Sequence, residues 1–97
     1  MSVRVLPEAA RDIEEAAIWY EDREAGLGSG FREAVIGLLN RVGDRPDRFP
    51  FAFGEYKRAV LGRFPYTVYF REIDDAVLIY AVYHQRRDPE QLAERLA

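Results

Sequence analysis

One histidine and two adjacent arginines stand together in "YHQRRDPEQL", residues 83 to 92, and no other stretch of the chain has a clearer claim to chemistry. A histidine titrates near neutrality and can act as a general base, while guanidinium groups fork onto carboxylates and phosphates. His84 is the only histidine, and no acid beside it is placed to orient the ring, so the competing reading is a side chain hydrogen-bonded in place at a strand end. A metal site is rejected, because His84 and Asp88 offer two ligands and the arginines repel a cation. Arg86 and Arg87 have two readings as well. One is a solvated end with a carboxylate partner worth about 0.5 kcal/mol; the other is recognition of an anionic partner.

The composition narrows the choices further. The chain has 97 residues, 48% of them hydrophobic, which predicts one domain over 1–97 with one packed core. It has no cysteine, which excludes disulfides, thiolate zinc sites and a cysteine nucleophile. No apolar run approaches the roughly 18 to 20 residues of a membrane span, and the start lacks a signal-peptide pattern, so the expectation is a soluble cytoplasmic protein without membrane contact. Net charge is −3, so direct DNA binding by the chain alone is not expected. The charge is unevenly spread. Seven acids (Glu8, Asp12, Glu14, Glu15, Glu21, Asp22, Glu24) crowd the first 24 residues, whereas Lys57, Arg58, Arg63 and Arg71 follow one another with no acid between them. A small basic face on the sheet is therefore expected, although alternation sends Lys57 and Arg58 to opposite sides.

The elements that must position these groups are written in the periodicities. "SVRVL" alternates as a short strand, and Pro7 with Glu8 marks a helix start. Ala9, Ile13, Ala16, Ala17 and Tyr20 recur at helical spacing, with Trp19 beside the stripe as a cap on the core or, alternatively, a surface for ligand stacking. "AGLGSG" breaks the pattern, with Ser29 as the expected N-cap of a second helix carrying Phe31, Ala34, Val35, Leu38, Leu39 and Val42. "DRPDRFP" reads as a loop. From residue 56 the period becomes two: "YKRAVL", then a strand with Phe64, Tyr66, Val68 and Phe70 in alternation, a tight turn at "EIDDA", and the two-sided apolar "VLIYAVY" of a covered central strand. On this alternation His84 shares a face with Leu78, Tyr80 and Val82. Asp88, Pro89 and Gln91 then resemble a capping box that opens a short terminal helix. The fold class is α+β in the order β-α-α-β-β-β-α, with a helical hairpin on one face of a small, mainly antiparallel sheet and the other face partly open.

This order, with "DIEEAAIWYE", "GLGSGFREAV", "RFPYTVYFR" and "AVYHQRRDPEQL", resembles the RelE/ParE superfamily of toxins, and its ParE-like branch, often labelled plasmid stabilisation proteins. The resemblance implies a toxin of a type II toxin–antitoxin system that binds a cellular target, DNA gyrase, and is neutralised by a cognate antitoxin cradled on its sheet. It implies no cofactor and no bond-breaking centre. The surface expected to meet target or antitoxin comprises Arg63, Arg71, Tyr69, Tyr83, His84, Arg86 and Arg87. The alternatives are a RelE-like ribosome-dependent messenger endoribonuclease, or a non-toxic module that only binds an antitoxin. If the chain is a ribonuclease, the catalytic set is Lys57, Arg86 and His84. Against that set, Ala59 and Thr67 stand where RelE-like members carry basic residues, and the terminal helix has no tyrosine.

Overall fold

The computed structural model describes residues 1–97. Strand β1 (Ser2–Val5) leads into helix α1 (Pro7–Arg23) and helix α2 (Leu27–Asp44); a single 3-10 turn follows, then β2 (Phe51–Phe53), β3 (Tyr56–Val60), β4 (Tyr66–Ile73), β5 (Ala76–His84) and helix α3 (Pro89–Leu96). The sheet order is β1-β5-β4-β3-β2, antiparallel except where β1 runs parallel to β5. The expected α+β order holds, and β2 is a short addition directly after the expected loop.

Pro7 sits at the first helical turn of α1, where the missing N–H costs nothing. The hairpin turn is built differently from expectation. Ser29 does not cap α2, because the helix has already begun at Leu27, and the N-cap position is held by Gly26 at φ 88°, a conformation that favours glycine. The acceptor comes from the preceding helix instead: Glu21 takes the N–H groups of Gly26 (2.9 Å) and Gly28 (3.0 Å). Gly28 also lets the two helices touch, since a Cβ there would lie 2.5 Å from the carbonyl oxygen of Ala17.

Between hairpin and sheet lies the main core, in which Phe31, Val35, Leu38 and Val42 of α2 meet Val68, Phe70, Val77, Ile79 and Val82. Tyr20, Phe31, Phe64 and Tyr66 interlock at one end of it with ring centroids 4.9 to 6.2 Å apart. A smaller cluster on the opposite face joins Ala81 and Tyr83 to Leu92 and Leu96 of α3. Strand β5 is thus covered on both sides, as its composition predicts.

The alternation along β5 is interrupted once. Tyr69 pairs with Ala81 and Phe70 with Ile79, which leaves Tyr80 as an extra residue, a β-bulge. Before the bulge Val77 and Ile79 face the hairpin; after it Val82 does, while Ala81 and Tyr83 face α3. The expectation that His84 shares a face with Leu78 and Tyr80 is therefore corrected. His84 keeps Val82 as its neighbour but lies on the hairpin side, because one inserted residue inverts the phase of everything beyond it. At the start of α3, Asp88 accepts from the N–H of Glu90 (2.9 Å) as an N-cap, but Gln91 does not complete a reciprocal box; its side-chain oxygen accepts from Tyr83 and Arg87.

A candidate binding cleft between α1 and the ends of β4 and β5

The bulge aims His84 into a cleft of about 530 Å³. Its helical wall is a stripe of α1, Asp12, Glu15, Ala16, Trp19 and Tyr20, and its sheet wall is Pro65, Tyr66, Val82 and His84, with Arg87 at the mouth. The wall residues of α1 recur at three and four, so they share one side of the helix. Trp19 is 50% exposed, which corrects its reading as a cap on the core. Its ring stands edge-on to Tyr20 (5.1 Å) and carries the Arg23 guanidinium at 3.6 Å from its centroid.

His84 packs edge-on against Tyr66 at 5.1 Å, and its Nδ1 accepts the backbone N–H of Arg86 at 3.0 Å. That bond puts the proton of a neutral ring on Nε2, so the side chain presents a donor. Burial, and next to it the neighbouring Tyr20, raises the pKa of the Tyr66 phenol, so the phenol keeps its proton at neutral pH. Arg87 makes no salt bridge; it stacks 4.4 Å over the Tyr83 ring and donates to Gln91 at 3.3 Å. The cleft therefore combines aromatic walls, two carboxylates on the helix side, and on the strand side an imidazole N–H and a guanidinium without an acid partner.

The other expected residues do not gather here. Arg63 lies beside Gly30 and Phe64 near the same end of the sheet, and it makes no ion pair. Arg86 is exposed and enters only through its backbone. Tyr83, expected as an exposed anchor, is 3% exposed under α3, because the bulge turns it to that side. Tyr69 is half-buried on the α3 face against Phe53, and Arg71, paired with Glu55, lies over Tyr56 on the same face. The shared basic face does not form. Lys57 is buried on the hairpin side, where its ammonium is held by the Pro46 carbonyl (3.0 Å) and Glu72 (2.9 Å). Neither partner was visible from charge counting, since Glu72 reaches Lys57 only across the β3–β4 ladder.

Asp12, Glu15 and Trp19 were absent from the expected site. Their spacing is the signal that marks them, a second stripe on α1 beside the core stripe, with a large aromatic among acids. No three His, Cys, Asp or Glu residues cluster as a metal site. No helix is long and apolar enough to cross a membrane.

The hairpin over one face of a five-stranded sheet, with a short helix on the other, is an α+β toxin fold of the RelE/ParE type. It is shared with a solved chain described as the chromosomal ParDE TA system from P. aeruginosa, 18% identical, at a TM-score of 0.67 over 87% of this chain and 95% of that one. The model of the ParE toxin of type II toxin–antitoxin systems, parDE, matches residues 3–89. The chain belongs to that ParE toxin family, the ParE-like branch of the superfamily. No curated protein matches the sequence.

Proposed function

We propose that this chain is a type II toxin that acts in the cytoplasm by binding DNA gyrase, and that a cognate antitoxin neutralises it by occupying the cleft between α1 and the end of β5. Membership of the ParE family supports the toxin reading, and the solved ParDE system of similar fold supports an antitoxin partner. The observation that carries the cleft assignment is the grouping of Trp19, Tyr20, Tyr66, His84 and the acid-free Arg87 around one open cavity. Aromatic rings and arginine are the groups from which protein interfaces draw most of their binding energy.

The same geometry speaks against the ribonuclease alternative. A phosphoryl-transfer centre needs cations converging on one phosphate. Here the Lys57 ammonium is consumed by Pro46 and Glu72, and its strand is separated from β5 by β4.

The test is inducible expression with and without a co-expressed cognate antitoxin, scored for growth, plasmid supercoiling and transcript integrity. Growth arrest with blocked supercoiling and whole transcripts, relieved by the antitoxin, is the expected result. Arrest with cut transcripts and normal supercoiling would replace the proposal with the ribonuclease reading, and unimpeded growth would replace it with an antitoxin-binding module.

A further inference from the structure

Strand β1 ends at Val5, opposite Ile79, and the Leu6 N–H to Ile79 carbonyl bond (3.0 Å) is the last backbone bond on that flank of β5. From Tyr80 onward the flank has no strand beside it. An open strand edge is a template for pairing with another chain.

Two side chains from two different helices close it. Asp12 of α1 accepts from the N–H of Val82 at 2.9 Å, and Arg95 of α3 donates to the carbonyl of Tyr80 at 2.9 Å. The two are joined to each other, with both guanidinium Nη atoms 2.7 Å from the carboxylate oxygens, and their side chains are only 11% and 18% exposed. Glu8 adds a second carboxylate, 3.1 Å from Arg95 Nε. The pair occupies the place of the next strand in the ladder, and it does so at the bulge, where the backbone of β5 departs from regular pairing.

Arg95 is at the same time the polar anchor that ties α3 to α1. The apolar anchors of this eight-residue helix are Leu92 and Leu96 against Ala81 and Tyr83. We propose that Asp12 and Arg95 form a clasp that couples the seating of α3 to the closure of the β5 edge, so that the two open together and well below global unfolding. When α3 lifts, the Tyr80 carbonyl loses its donor, Asp12 loses its counter-charge and the buried faces of Ala81 and Tyr83 meet solvent. This inference is independent of the toxin reading and stands or falls by a different measurement.

The test is residue-resolved amide hydrogen exchange on the full chain under native conditions, for the wild type, Arg95→Met and Leu92→Ala. In the wild type the amides of residues 92–96 and of Val82 should share one opening equilibrium, well above that of Leu38 in population. Arg95→Met should speed both by about tenfold or more while leaving Leu38 unchanged. Leu92→Ala is the discriminating variant because it leaves Asp12 and Arg95 intact: coupling requires that it also speed Val82 by about tenfold. If α3 exchanges faster in Leu92→Ala while Val82 stays protected, the two closures are independent and the clasp is refuted. Wild-type exchange of α3 only through the same opening as Leu38 would refute it as well.

Discussion

Arg87 holds its charge at the mouth of the cleft with no carboxylate to neutralise it, and Trp19 leaves half its surface in water on the opposite wall. Groups so exposed contribute little to folding, so changing them isolates binding from stability. On the proposed cleft assignment, Arg87→Glu and Trp19→Ala should each weaken binding of a cognate antitoxin by about tenfold or more, with Tm near that of the wild type; an unchanged Kd by interferometry for both would remove the cleft from the interface. Glu21 makes the opposite kind of contribution. The N–H of Gly26, and next that of Gly28, hold its carboxyl below the ordinary value of 4.5. A depressed folded-state pKa gives stability that is fully present above the unfolded value and is lost as pH falls through the folded one. The Tm gap between wild type and Glu21→Gln should therefore be constant near neutrality and close below about pH 4, where the carboxylate becomes protonated. Glu14 and Asp47, both lowered chiefly by arginine hydrogen bonds, titrate in both proteins and cancel in that difference. A gap that ignores pH would mean that the carboxylate's charge plays no part in capping α2.

At the scale of elements, what could be read in advance were features set by neighbours along the chain. Pro7 and the Asp88–Pro89 pair mark helix starts because a proline at the first turn loses no hydrogen bond, and Phe31, Val35, Leu38 and Val42 mark the buried stripe of α2. The bulge at Tyr80 left no such mark, since "LIYAV" alternates plausibly in either phase and the extra residue is defined only by what β4 sets opposite it. Strand β2 was missed for a related reason. Three residues carry no periodicity, and "FAF" becomes a strand by pairing with β3. The turn between β4 and β5 bends through Asp74 (φ 50°) and Asp75 (φ 61°), two left-handed residues in succession, as a type I′ hairpin requires. Glycine adopts that conformation freely, so Asp75→Gly should stabilise the protein by about 1 kcal/mol in urea titration. A destabilised variant would show that the aspartate side chain supports the turn.

Across the whole molecule, the ring cluster of Tyr20, Phe31, Phe64 and Tyr66 joins hairpin to sheet directly behind the cleft, so core and site share residues. Phe31 is fully buried there, and Phe31→Ala should cost about 3–5 kcal/mol, a large part of the 5–15 typical of a domain. Antitoxin binding should then fall only as far as the unfolded fraction explains. A chemical denaturation curve with an unchanged midpoint would show that the cluster does not hold the two layers together. The sequence by itself determined the helices, the long strands, the two-sided burial of β5 and the family, because each depends on residue types at fixed spacing. Only the tertiary structure decided which charges remained free and which way the last strand faced. Lys57 meets Glu72, Arg71 meets Glu55 and Asp12 meets Arg95 across 15 residues (72 − 57), 16 and 83 of intervening separation. One unpaired residue in β5 then turned His84 toward α1 and Tyr83 under α3. Partner choice and strand phase are set by what folding brings alongside, and no periodicity in a single chain records that.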